Sequence, residues 1–381
     1  MQPRESMRGL PRLVQPFLTW VTGMPLTGAK PRVLWRPVLA LIAGFVQTVV
    51  GVTIGVAGLQ ARWYLGIPLV LLSWPITAGG IRRLDVVVVH QTLHQMYTPS
   101  TRGNRIVSEI VTTLTWRPPY DENRKEHLVH HAHPCSLRDG DILYLASTGA
   151  RPGMTRREFR GYLWRALISP RHHWSFFAGR MRGNFFSRPP AYRLAMSLSY
   201  LAATVVFLGL TGWWLQWLLL WFLPATFFFH NHTLLYTLSE HRWWLFQNAE
   251  RLTKPQRDQL TFGRFCGTAV PQTGDVGPLR AGLAWTGWWA RMLLLYAPYR
   301  LCILVGDTVQ HDLHHVRPKC DWANSSWVRN ADLGTNQAGR YFEVWGGLLS
   351  HVYVGNSVSD WITAEPSAPS RRPAVKEAVA A

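Results

Sequence analysis

Four stretches of the chain are apolar for long enough to read as helices through a bilayer, and basic segments separate them. A helix rises 1.5 Å per residue, so about 20 apolar residues cross the hydrocarbon core. The first stretch, about 33–59, contains "VLALIAGFVQTVVGVTIGVAGL". After Arg62 a second runs over 63–80 and ends at "IRRLD". The third and fourth occupy about 194–210 and 213–235, joined by "TGWW". Trp and Phe crowd their borders, as at a membrane interface. A fifth run, 285–305, is interrupted by Arg291, Pro298 and Arg300, charges and a breaker that are costly at the bilayer centre. It reads as an interfacial or partly embedded helix, and so does 106–116, which is too short to span.

The breaks inside each pair are short, so the pattern predicts two hairpins. Each hairpin returns the chain to the side it came from. The N-terminus, 85–190 and 236–381 then share one face, and they hold nearly all the Lys and Arg, which makes that face cytoplasmic. The expected fold is all-α and integral to the membrane, with four transmembrane helices in two hairpins under a cytoplasmic helical cap. Residues 1–32 form a basic N-terminal segment, 33–345 the membrane domain, and 346–381 a C-terminal segment. The end of that segment, poor in bulky apolar residues, is expected to be disordered. The first strongly apolar run starts only near Val33 and lacks a small-residue cleavage site, so no cleavable signal peptide is expected.

Composition supports this picture. The chain is 48% hydrophobic with 20 Trp, and charged residues are held to 16%, against about 25% in soluble domains. The net charge of +19 sits mostly on Arg in the polar segments. Such a surface attracts nucleic acid, anionic headgroups or an acidic protein; beside membrane spans the headgroups are the expected partner, and no nucleic acid is. Cys135, Cys266, Cys302 and Cys320 form no CxxC pair and read as reduced and structural.

The candidate chemistry lies in the histidines. "HQTLH" puts His90 and His94 at i and i+4. "HLVHH" puts His127, His130 and His131 at i, i+3 and i+4, and "HDLHH" repeats that spacing with His311, His314 and His315. Each set falls on one face of a helix. By the parity of the hairpins, all three lie on the same side of the membrane and can meet. Chance supplies one HxxHH in roughly 0.02 of chains this long, and two far more rarely. Imidazole suits Fe, Zn, Cu or Ni, so ligand type does not name the metal. Eight histidines exceed the four of a tetrahedral zinc site and favour two metals.

HxxxH, HxxHH and HxxHH in this order, two after one hairpin and the third after another, resemble the membrane fatty acid desaturases and the related hydroxylases and ketolases. The resemblance covers about residues 33–320. It implies two iron ions with O2 as co-substrate, a lipid or acyl substrate, and ligation by His90, His94, His127, His130, His131, His311, His314 and His315. "LSEHRWW" is similar to an element of bacterial members and makes His241 the expected ninth ligand, with His230 and His232 as competitors. It also suggests a bacterial-type inner membrane. His133 is expected beside the metal or exposed. Asp307, four residues before His311, is the expected carboxylate partner of a ligating histidine. His172, His173 and His351 read as interfacial or structural. No His-Pro-Gly-Gly haem motif is present, so electrons must come from an external ferredoxin-type or small haem protein. The expected reaction is O2-dependent desaturation of a fatty acyl chain. Oxygen insertion at the same site, as in a hydroxylase, an alkane-type monooxygenase or a carotenoid ketolase, is the alternative. A zinc-dependent membrane hydrolase is a third.

Overall fold

The computed structural model describes residues 2–243 and 252–357. The expected disorder of the chain's end concerns residues outside that range. The chain is mostly helical, and among the described residues four helices are long and apolar enough to cross a membrane: α1 (Pro37–Gln60), α2 (Trp63–Leu93), α6 (Ala191–Thr211) and α7 (Trp214–Leu238). Between them lie α3 (Thr101–Leu114), α4 (Tyr120–Ala132) and α5 (Gly140–Ser147); after them come α8 (Pro278–Cys302), α9 (His311–Val316) and α10 (Leu348–Asn356).

Helices α1 and α2 touch through small residues. A Cβ on Gly51 would stand 2.6 Å from the backbone nitrogen of Thr77, and a Cβ on Gly80 2.5 Å from that of Thr48. In lipid there is no hydrophobic gain from pairing two apolar helices, so close backbone approach and van der Waals contact must hold them. Their other faces leave Val46, Val49 and Leu71 exposed, as suits hydrocarbon.

The second helix does not stop at Gly80. It continues through a π-helical turn, Leu84–Val89, to His90–Leu93. The charged "IRRLD" that looks like an exit from the membrane is absorbed by protein. Arg82 is buried, donates to the Ile303 carbonyl at 2.9 Å and stacks over the Tyr236 ring, while Asp85 pairs with Arg117 at 3.1 Å. The first histidine box is thereby an extension of a membrane helix, and the extra residue of a π turn resets which side the next residues face.

Helix α8 bends by 102° against Gly306–Val316; with that bent pair counted as one broken span, the candidate spans number five. A bend frees backbone carbonyls. The buried Arg300 meets them, bonding the Leu304 carbonyl and, at 3.2 Å, that of Gly306. The bend delivers the third box on α9.

The all-α expectation omits one feature. Strands β1 (Gly263–Cys266) and β2 (Glu343–Gly346) pair in parallel, four residues each, too short to leave a periodic signal. They lie beneath α9, where a Cβ on Gly263 would stand 3.1 Å from Asp312 Oδ1. The four cysteines are buried and free.

Candidate metal centre

Each histidine is set by its element. His90 and His94 end α2, and the chain then leaves the helix at Gln95, whose φ is 62°. His127, His130 and His131 line one face of α4. His311, His314 and His315 lie on α9, which is anchored from behind. The buried Asp312, between the ligand positions, takes a forked ion pair from Arg329 at 2.7 and 3.0 Å, and Arg329 also reaches Glu343 at 3.2 Å. His241 follows the end of α7, and an antiparallel bridge to Thr261 holds its backbone.

These nine side chains form two groups. His90, His94, His127, His131 and His314 offer ligand atoms within 4.8 Å of one another, and so do His130, His241, His311 and His315. The Nε2 atoms converge. His90 and His314 stand 2.8 Å apart, His314 and His131 2.9 Å, His127 and His94 2.7 Å, His130 and His241 3.0 Å, and His241 and His311 3.0 Å. One ring nitrogen has one lone pair or one proton, so His314 Nε2 cannot hydrogen-bond two imidazoles at once. Two nitrogens bound about 2.1 Å from a metal at right angles to each other stand about 3.0 Å apart. The spacing is that of ligand atoms, and the donor set, imidazole throughout, suits a first-row transition metal and not calcium or magnesium.

Burial holds His127, His131, His241, His311, His314 and His315 well below the usual histidine range, and brings His94 down to about 4 with help from Arg124. Neutral imidazole is the ligating form. His130 differs. Burial opposes its charge, but Asp139, 3.1 Å from Nδ1, and then Asp141 raise it to about 10. With Nδ1–H donated to Asp139, the Nε2 of His130 is left facing His241. This is the carboxylate–imidazole pairing that fixes a ligand's tautomer.

Asp307 does not fill that role. It accepts from Gln91 Nε2 at 2.8 Å and touches no histidine among the described residues. The expected i−4 relation to His311 fails because Gly306–Gln310 is a 3-10 turn of three residues per turn, which rotates Asp307 off the ligand face. Asp139 lies six residues past the end of the second box's helix at Ala132–His133, and helical spacing does not reach it across the break at His133. His133 lies in neither cluster and sits 3.4 Å from Arg138 Nη1. His232 is buried on α7, also outside both; His230 accepts from Arg180 at 3.2 Å and stacks with His173, beside His172. His351 is buried between Tyr299 and the Val344 carbonyl. The residues that sequence reasoning passed over as supports are Arg329 and Trp243, whose buried ring lies 5.0 Å from that of His241.

Fold and site together define a class: a helical protein with membrane-length spans and two adjoining histidine clusters fit to hold metal. The sequence model of a family described as "Fatty acid desaturase" matches residues 66–269, over half of the chain, and the chain belongs to that family. The match takes in the first two boxes and His241, while the third box lies beyond it. No curated protein matches the chain. Membership implies an oxidoreductase of the desaturase or hydroxylase type, in a family that uses iron.

Proposed function

We propose that the protein desaturates a fatty acyl chain at a di-iron centre, with the active site on the cytoplasmic face of a bacterial-type inner membrane. The observation that carries this reading is the sorting of nine imidazoles into two adjoining groups, five and four, in a chain of the desaturase family. His90, His94, His127, His131 and His314 would hold one iron, and His130, His241, His311 and His315 the other. Bound iron supplies O2-dependent oxidation of an unactivated C–H bond. The overall change removes two hydrogens from adjacent carbons, and with O2, two electrons and two protons yields a double bond and two waters.

The chain's own part is to hold the ligands neutral, to keep the site dry and to bring in substrate and electrons. Burial keeps most of the imidazoles unprotonated, and Asp139 keeps His130 turned with Nε2 inward. The apolar, aromatic helices α6 and α7 offer the acyl chain a membrane-side approach. The Arg-rich face implied by the net charge of +19 suits an acidic electron carrier of the ferredoxin or small haem type, and equally the headgroups beside it. Mass profiling of acyl chains in cells expressing the protein tests the reaction. Loss of 2 Da supports desaturation; gain of 16 or 14 Da assigns oxygen insertion or ketone formation instead.

A further inference from the structure

Between α5 and α6 the chain forms two further helices, Arg156–Ile168 and Pro170–Met181, joined at Ser169. Glu158 is the sole carboxylate between Ala150 and Pro190, and Arg151 approaches it at 3.7 Å. Arg157, Arg160, Arg165 and Arg171 are exposed and, among the described residues, take part in no ion pair.

These cations rim an apolar surface. The first helix buries Phe159, Tyr162, Leu163 and Ala166 in the protein. Its opposite side carries Arg157, Trp164 and Ile168 at i, i+7 and i+11, with Trp164 70% and Ile168 67% exposed. Arg160 and Arg165 flank that line. The second helix adds Trp174, 69% exposed.

The second helix also lies against a span. Its Phe177 ring is 5.8 Å from that of Phe222, and Arg180 donates to the Ala225 carbonyl at 2.7 Å. Phe222 is eight residues into α7, about 12 Å along the axis. Trp174 stands 6.2 Å from Phe177, so its open ring is at the level of lipid and not of bulk water. The seat adjoins the metal centre as well: Tyr144 of α5, the helix capped by Asp139, packs 5.8 Å from the His172 ring.

Water leaves two indoles and an isoleucine uncovered, and a soluble acidic protein would have to displace the lipid beside α7. Anionic lipid meets both demands. Trp and Ile settle at the boundary between headgroups and acyl chains, while guanidiniums on long apolar stems reach phosphodiester oxygens, which they can grip through two N–H groups.

We propose that Arg156–Ile168 and Pro170–Met181 lie in the headgroup layer and bind anionic phospholipid. Trp164, Ile168 and Trp174 enter the acyl boundary, and Arg157, Arg160, Arg165 and Arg171 hold the phosphodiester. The proposal rests on the membrane reading and is independent of the metals and the reaction.

The test uses the full chain in nanodiscs containing phosphatidylcholine and phosphatidylglycerol. Wild type is expected to enrich phosphatidylglycerol among its retained lipids at least about fivefold, and less in high salt. Replacing the four arginines together (Arg157→Gln, Arg160→Gln, Arg165→Gln, Arg171→Gln) is expected to abolish most of that enrichment while iron content stays as in wild type. No enrichment in wild type, or enrichment untouched by the four substitutions, overturns the proposal. Should the fourfold variant not fold, a nitroxide on Trp174→Cys or Ile168→Cys decides. Collisions with oxygen exceeding those with a water-soluble nickel chelate support seating in lipid, and the reverse overturns it. Iron-free protein that still shows the enrichment would remove the di-iron reading and leave this one standing.

Discussion

His130 and His241 meet through their Nε2 atoms at 3.0 Å across 111 residues of chain. Neither lies on the other's element, so the contact depends on how the end of α7 is clamped. Helix α10 supplies the clamp. The Gly355 carbonyl accepts from the Trp243 N–H at 3.0 Å, and a Cβ at Gly355 would meet the Leu238 carbonyl oxygen and, at 2.9 Å, that of His241. Gly355→Ala is therefore expected to cost about 1–3 kcal/mol, because backbone must move to admit the methyl. It should also loosen iron at the four-histidine cluster. Thermal unfolding and iron retention check this. Gly282→Ala on α8, where nothing lies within 4 Å, serves as the neutral control.

Asp139→Asn keeps the side chain's shape and removes the charge behind His130. Asp139 also accepts from the backbone N–H of Cys135 at 2.8 Å through Oδ2 and of Asp141 at 3.0 Å through Oδ1, and an amide oxygen can keep only one of the two. The variant should lose one turn hydrogen bond as well as the charge, and metal affinity at His130 should fall about 10- to 100-fold, as for other carboxylates behind ligating imidazoles. Iron retained after dialysis against a chelator series measures it.

Arg329→Met leaves Asp312 buried without its cation. Breaking one side of such a pair costs about 3–5 kcal/mol, and the third box sits on the damaged element. Adding Asp312→Asn should recover part of the loss, since the fully buried charge is then gone and only Glu343 is left without Arg329. Denaturant unfolding of the two single variants and the double variant gives the coupling directly.

His351 sets a pH dependence away from the metal. Burial first, against weaker help from the Val344 carbonyl, lowers it to about 3. The unfolded chain, near the ordinary 6.5, binds a proton that the folded chain refuses between those values. Stability should fall as pH drops from 6.5 toward 3, by up to about 1.4 kcal/mol per pH unit from this group. His351→Gln should flatten that slope relative to wild type in unfolding measured on iron-loaded protein; an unchanged slope would reject the assignment.

The histidine spacing was legible because ligands at i, i+3 and i+4 are written into a single helical turn. His127, His130 and His131 fall together wherever α4 lies, and the structure does gather the nine residues. Relationships across breaks were not legible. Asp139 reaches His130 only after the chain turns at Cys135, whose φ is 63°, and Asp307 loses its expected place to a 3-10 turn. The extent of α2 was hidden for another reason. Arg82 looks like a residue that must meet water, and only the tertiary contact with Ile303 shows that protein satisfies it. The β1–β2 pair has no signal at four residues per strand.

Metal analysis of the purified chain tests the central claim most directly. The two clusters predict two irons per chain, falling to about one when His314→Ala opens the five-histidine group or His241→Ala the four-histidine group. One zinc and no iron, or a count unmoved by either substitution, would contradict the di-iron reading.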